Sequence, residues 1–256
     1  MAHQPEVSLI IPVYNEEENL AELLDQIRTA MAKQTRPWEV LLVDDGSRDG
    51  SWPLLQRLCA EVPEARGLRL QQNRGQTAAF AAGFRAAQGR LLVTLDADLQ
   101  NDPADIPMLL QRQAQEQADA VLGIRRRRND NWIRRWSSKI ANAYRRRRTQ
   151  DDTIDTGCSL KVFQTQFVRD MPLFTGMHRF LPTLARMQGA QKIVQIEVNH
   201  RPRLHGVSKY GVWNRLWVGL ADVKAVRWMQ RRHLNYQVAE EIGGDTQRTQ
   251  DQEVHV

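Results

Sequence analysis

A chain of 256 residues, 41% of them hydrophobic, carries enough apolar side chains for a substantial core, as one large α/β domain or two small ones. A formal charge of +6 calls for an anionic partner, for which nucleic acid, a membrane surface or a phosphorylated small molecule would each serve. Two cysteines, Cys59 and Cys158, exclude a disulfide framework, and nowhere do roughly 18 consecutive apolar residues occur, so a membrane-spanning chain is excluded and one resting on a membrane is not.

The N-terminus lacks a basic leader followed by a long apolar stretch, so no signal peptide is expected. Val7 to Val13 reads as a strand. Asn15 is an N-cap candidate ahead of Glu16, Glu17 and Glu18, acidic residues suited to the positive end of a helix running to about Lys33. Trp38 to Val43 is a second buried strand. It stops at Asp44-Asp45-Gly46-Ser47-Arg48-Asp49-Gly50-Ser51, a cluster of turn and cap residues that hands over to another helix. Gly67 to Leu70 gives a third strand, followed by Asn73-Arg74-Gly75 and a small-residue helix from Gln76 to Ala87. The Leu91 strand ends in Asp96-Ala97-Asp98. Strands alternating with helices predict a parallel, doubly wound sheet with its ligand at the carboxyl edge. In an extended strand, alternation would place Asp96 and Asp98 on one side, where with a phosphate they could offer oxygen ligands to Mg2+ or Mn2+. Asp-x-Asp alone is a weak signal, since acidic pairs often cap turns or face water.

Asp102-Pro103 and Ile106-Pro107 punctuate the start of the next helix, and Ala120 to Ile124 is another strand. Two runs of four arginines follow, Arg125 to Arg128 and Arg145 to Arg148, with Arg134, Arg135 and Lys139 between them. A charge run is most simply a solvated face. Trp132, Ile133, Trp136, Ile140 and Tyr144 recur at helical spacing, however, which makes a basic amphipathic helix suited to phosphate or a membrane surface. Asp155 to Phe163 enters a further strand, His178 to Pro182 opens a helix through Arg186, and Ile193 to Val198 is strand-like. No metal-ligand spacing supports His178, His200 or His205. Arg203 and Lys209 around Gly206 suit a phosphate-gripping loop. Trp213 to Arg232 reads as a last helix with Trp213, Leu216, Trp217, Leu220 and Trp228 on one side, and from Asn235 the tail is polar. The domain reading is a catalytic domain over 1–211, an interfacial amphipathic helix over 212–233 and a polar tail over 234–256.

Val7-Ser-Leu-Ile-Ile-Pro-Val-Tyr-Asn-Glu-Glu, Val43-Asp-Asp-Gly-Ser-Arg-Asp-Gly-Ser, Asn73-Arg-Gly, Leu95-Asp-Ala-Asp-Leu-Gln, Asp155-Thr-Gly-Cys and His200-Arg-Pro-Arg-Leu-His-Gly-Val-Ser-Lys-Tyr stand in the order of the family 2 glycosyltransferases. More narrowly, the chain resembles the dolichol-phosphate mannose synthase type over roughly residues 6 to 232. The resemblance implies a GT-A fold, a Rossmann-like α/β sheet, and inverting transfer of a sugar from a nucleotide-diphosphate donor to a polyprenyl phosphate. Pro12, Tyr14 and Glu16, with Asp44 or Asp45, would hold the nucleoside. Asp96 and Asp98 would bind Mg2+ or Mn2+, with Gln100 lining the site, and Arg203, Ser208 and Lys209 would close over the diphosphate. Asp155 lies where the family keeps an acidic residue near the reacting centre, and Arg125 and Arg128 could grip the lipid phosphate.

An acceptor phosphate is already ionised near neutral pH, so Asp155 is expected to orient a substrate more than abstract a proton. Many relatives carry transmembrane helices after the Ser-Lys-Tyr loop. Here a Trp-rich helix stands instead, which suggests peripheral docking on the inner face of the membrane from the cytoplasm through Trp213, Trp217, Trp228 and the arginines, and leaves room for a separate membrane-protein partner. Packing of that helix on the domain or in a dimer is the competing reading. Rival functions are a family 2 transferase with a hydroxyl acceptor, a basic nucleic-acid-binding protein and an inactive membrane scaffold. Nucleic acid is disfavoured because it leaves the carboxylates without a purpose. Donor base and sugar stay open.

Overall fold

β1 (Val7–Val13), buried at every residue but the half-buried Pro12, lies near the middle of a seven-stranded sheet ordered β3-β2-β1-β4-β6-β5-β7. The computed structural model describes residues 4–125, 143–202, 212–234 and 240, and the side chains of 212–218 lie outside that description. From β1 the chain winds outward in one direction through α1 (Glu17–Met31), β2 (Trp38–Asp44), α2 (Ser51–Glu61) and β3 (Ala65–Arg69), with the three strands parallel. After α3 (Gln76–Ala86) it crosses back and lays β4 (Leu91–Thr94) parallel on the other side of β1. The strand order reverses there, so the connections leaving β1 and β4 diverge and open a crevice at their carboxyl ends. α4 (Ile106–Glu116) then leads to β5 (Ala120–Arg125), a helix over residues 143–149 (α5), β6 (Lys161–Gln164), α6 (Leu181–Met187), β7 (Ile193–Val198) and α7 (Val212–Arg232). β7 is parallel to β5 at the sheet edge.

The departure from an all-parallel sheet is β6, which runs antiparallel to both β4 and β5. The stretch expected to enter a strand from Asp155 is largely loop, and only Lys161–Gln164 pairs. Each face of the sheet buries its own core. Leu9, Ile11 and Val13 pack with Leu20, Leu23 and Ile27 of α1, whereas Ile10 packs with Phe80 and Phe84 of α3. This is the period of two expected of a strand covered on both sides, and each such side chain contributes roughly 1.5–3 kcal/mol.

The β1–α1 and β2–α2 loops cap each other. Asn15 takes a left-handed conformation (φ 52°) and is not the N-cap; Glu16 is, without a side-chain cap bond of its own. Instead Ser51 Oγ accepts from Glu16 N at 2.9 Å and Asp49 Oδ2 from Glu17 N at 3.3 Å. In return Asn15 Oδ1 accepts from Arg48 N at 2.8 Å and Glu17 Oε2 from Gly50 N at 2.9 Å. The donors left open at a helix start are met from the neighbouring loop, which locks the two loops into one surface.

The second arginine run divides by burial. Arg145 is buried and donates through Nη1 to both oxygens of Asp151, at 3.2 and 3.0 Å, and through Nη2 to Thr153 O at 2.5 Å. The hydroxyls of Thr149 and Thr183 complete the Asp151 shell at 3.0 and 2.6 Å. Arg146, Arg147 and Arg148 are exposed. α7 lies against this region: Val223 and Val226 are buried, Met229 packs beside them, and Gln230 Nε2 donates to Thr149 O at 2.6 Å. Trp228 points away, 63% exposed, so among the described side chains of the helix the packed stripe is the valine side. The side chains of Trp213, Leu216 and Trp217 lie outside the described residues. Among the described residues no helix is long and apolar enough to cross a membrane.

Because Arg145 leaves Asp151 charged and buried when removed, Arg145→Ala should cost roughly 3–5 kcal/mol in urea denaturation. Arg146→Ala, its exposed neighbour, should stay within about 0.5 kcal/mol of the parent chain. Equal effects would contradict the division.

Candidate active site

At the carboxyl end of β2, Asp44 and Asp45 are both buried and both engaged with backbone. Asp44 Oδ1 accepts from Ser47 N at 3.1 Å while Oδ2 lies 3.2 Å from Arg69 Nε. Asp45 accepts from Arg74 N and Gly75 N, each at 2.7 Å, and so holds the turn before α3. Burial raises the Asp45 pKa above its ordinary value, against the pull of those two N–H groups. Gly46 takes a φ of +69° with the backbone of Gln72 and Asn73 pressed against it, so that an added Cβ would stand 2.7 Å from Asn73 N. The β2 and β3 loops thus meet through glycine and Asp45. Pro12 pairs with Val43 in the β1–β2 ladder, Tyr14 is half-buried just beyond, and Glu16 Oε2 accepts from Asn19 Nδ2 at 2.7 Å.

β4 stops at Thr94, so the residues that carry Asp96 and Asp98 are loop and strand alternation is not what gathers them. A turn through Leu99 (φ 57°) and the β6 side of the crevice shape the loop instead. Ser159 Oγ accepts from Asp96 N at 3.1 Å and from Asn101 Nδ2 at 2.7 Å, and Thr94 Oγ1 donates to Ser159 O at 2.5 Å. Lys161, buried in β6, donates to Cys158 O. Asp98 Oδ1 accepts from Gln100 N at 3.2 Å, and Gln76 Nε2 donates to Asp96 Oδ1 at 2.7 Å. Burial, then the charge of Asp98, pushes the Asp96 pKa up to about 6. Arg201 N donates to Gln100 O at 2.8 Å and His200 forms a β-bridge with Asn101, so the His200-Arg201-Pro202 segment runs directly beside the aspartate loop.

Arg125 and Asp155, both singled out in the sequence, are partners. Arg125 Nε and Nη2 reach Asp155 Oδ2 and Oδ1 at 2.7 and 2.8 Å, a bidentate pair with 14% and 12% side-chain exposure. Burial alone would lower the Arg125 pKa, but the Asp155 hydrogen bonds and charge hold it above the ordinary value. Arg128, Arg203, Ser208 and Lys209 lie outside the described residues.

Asp96 and Asp98 could hold a hard divalent cation, since two neighbouring carboxylates, one with its proton affinity raised by the other, gain most from a compact positive charge. Among the described residues no three His, Cys, Asp or Glu gather into a ligand set. A bound phosphate and water would offer further oxygens. Gln76, Ser159, Asn101 and Lys161 were not singled out by the sequence reading. Gln76 follows Asn73-Arg-Gly directly, and Lys161 stands alone among apolar residues of a strand; those are the signals they leave.

The family model described as glycosyl transferase family 2 matches residues 8–173, and the chain belongs to that family. A dodecaprenyl-phosphate galacturonate synthase of Rhizobium johnstonii is 37% identical over 229 residues, 88% of this chain and 68% of the relative. An undecaprenyl-phosphate 4-deoxy-4-formamido-L-arabinose transferase of Aeromonas hydrophila subsp. hydrophila is 41% identical over 207 residues, 80% of this chain and 63% of the relative. The chain therefore spans about two thirds of the length of these curated relatives. Among solved structures, a glucosyl-3-phosphoglycerate synthase from Mycobacterium tuberculosis in complex with phosphoglyceric acid superposes with a TM-score of 0.65 at 17% identity, covering 91% of this chain and 82% of that one. A mannosyltransferase from Pyrobaculum calidifontis, in complex with GDP-Man and Mn2+, gives 0.59 at 19%, covering 92% and 66%. The fold is GT-A, as the family resemblance implied.

His178, which no metal-ligand spacing supported, has a structural role instead, with its Nδ1 lying 2.8 Å from Thr77 Oγ1 in the first turn of α3. Burial, then Arg179 and Lys161, pushes its pKa down to about 3. Between that value and the ordinary 6.5 the unfolded chain binds a proton that the folded chain does not, so folding loses stability as pH falls through this window. The loss should reach roughly 1 kcal/mol per pH unit. His178→Gln should flatten the fall in urea midpoint between pH 7 and 4, and curves parallel to the parent chain would contradict it.

Proposed function

We propose that the chain is an inverting glycosyltransferase that moves a sugar from a nucleotide-diphosphate donor, UDP- or GDP-linked, to a polyprenyl phosphate. The observation that carries this reading is the convergence of the loops after β1, β2 and β4 with the Arg125–Asp155 pair at one carboxyl edge of the sheet. Two relatives are named for dodecaprenyl-phosphate and undecaprenyl-phosphate substrates, and one structural neighbour was solved with a nucleotide sugar and Mn2+.

In this reading Pro12, Tyr14 and Glu16 border the nucleoside, with Asp44 at the same edge and Asp45 acting chiefly as the clamp of the 73–75 turn. Asp96 and Asp98 would hold Mg2+ or Mn2+ for the diphosphate, with Gln100 lining the same site. Such a cation, when bound, supplies charge that offsets the negative charge growing on the departing diphosphate. Arg203, Ser208 and Lys209 follow the segment seated beside Gln100 and close over the phosphates. Asp155 commits both oxygens to Arg125, and Gly157 N also donates to Oδ1 at 3.1 Å. It therefore orients the guanidinium that faces the acceptor, and the phosphate attacks without a base. Arg128 and the exposed Arg146, Arg147 and Arg148 add positive field for the lipid headgroup, and Trp228 with Trp213 and Trp217 rests the enzyme on the cytoplasmic membrane face.

Radiolabelled sugar offered as UDP- and GDP-linked donors with undecaprenyl phosphate vesicles should enter the organic-extractable phase. EDTA should stop the transfer, and Asp98→Asn should lower it on the order of 100-fold or more. Label that stays in water while nucleotide is released would overturn the lipid acceptor.

A further inference from the structure

We infer that Gln76 is a positioning residue for Asp96, setting the carboxylate for the cation without discharging it; the inference rests on the donor-site reading above. Gln76 is the first residue of α3, half-buried, with Nε2 2.7 Å from Asp96 Oδ1. Independent clamps fix where its side chain starts. On one side Asp45 holds the N–H groups of Arg74 and Gly75, each at 2.7 Å. Gly75, with a φ of +87°, turns the chain into the helix. On the other side the Thr77 hydroxyl lies 2.8 Å from His178 Nδ1 and accepts from Gly176 N at 3.0 Å. The amide is thereby aimed at Asp96 from a backbone tied to β2 and to the segment before α6.

The residue type matters. A lysine or arginine at this reach would neutralise Asp96 and compete with a divalent cation, and a glutamate would repel it. A neutral amide donates one hydrogen bond, fixes the rotamer and leaves the negative charge for the metal. The opposite side of the loop is fixed through Asp96 N and Ser159 Oγ at 3.1 Å, so main chain and side chain are held by different elements. Lys161, buried on the same side of the crevice, donates to the Cys158 carbonyl rather than to Asp96, on which it acts only through its field.

The test is calorimetric titration of Mn2+ in saturating UDP, and in parallel GDP, with the parent chain, Gln76→Met, Gln76→Ala, Asp96→Asn and the Gln76→Met/Asp96→Asn double variant. Gln76→Met keeps length and volume, and Gln76→Ala removes both, so agreement between them separates the lost hydrogen bond from a packing defect. Loss of a group that orients a ligand typically weakens metal binding about 10- to 100-fold, and about 10-fold is expected for both single Gln76 variants with little change in melting temperature. In the Asp96→Asn background Gln76→Met should change nothing further. An equal further loss there, or unchanged Mn2+ affinity in Gln76→Met beside a clear loss in Asp96→Asn, overturns the inference alone. Unchanged Mn2+ affinity in Asp96→Asn overturns the donor-site reading and the inference with it.

Discussion

Carboxylates withdrawn from water must find donors, and this sheet places several of them at one edge. A hydrogen bond to a charged group contributes roughly 1.5–3 kcal/mol, and an unmet one costs more, so the partners of these aspartates decide how the loops lie. Asp45 takes two N–H groups from the loop after β3, Asp155 takes the Arg125 guanidinium, and Asp105 takes Asn199 N and Nδ2 at 2.6 and 3.0 Å. In each case donor and acceptor come from different parts of the chain. Satisfying the charges therefore binds separate loops into one surface, and the crevice between β1 and β4 inherits that rigidity.

On the proposed reading, the same crowding bears on how negative residues can serve a negative substrate. Asp96 and Asp98 sit close enough that one raises the proton affinity of the other, and a diphosphate approaching them unaided would be repelled. A divalent cation reverses that sign, and the Arg125 guanidinium adds positive charge from the end of β5. On that reading, two carboxylates and the Arg125 guanidinium make a site for a metal-bound anion next to a second anion.

Much of the architecture was legible because buried strands need apolar runs. Val7–Val13 and Trp38–Asp44 match the sequence reading within a residue, as does the return to strand at Ala120. β6 was harder, since four paired residues give too short a pattern to show direction, and its antiparallel course depends on neighbours far away in sequence. Strand alternation does not account for Asp96 and Asp98 standing together, because the strand ends at Thr94; the ordered motifs of the family resemblance are what single them out. The Asp96 loop is held by Ser159, 63 residues on, and no local pattern announces such a bond. Likewise a run of four arginines does not reveal that Arg145 is buried against Asp151 while Arg146 to Arg148 face solvent, because the partner sits in the loop and not in the helical repeat. In the last helix Trp228 is exposed, and among the described side chains Val223 and Val226 make the contact with the core.

On the proposed reading, Asp96 and Asp98 supply part of a cation site and the donor diphosphate supplies further oxygens. Thermodynamic linkage tests this most directly: the dissociation constant of Mn2+ measured without nucleotide and at saturating UDP or GDP, with the nucleotide constant measured in turn with and without Mn2+. Weak Mn2+ binding alone, a strong gain with the matching nucleotide, and the same factor in the reciprocal measurement are expected. Tight Mn2+ binding without nucleotide, or nucleotide binding indifferent to Mn2+, would contradict it.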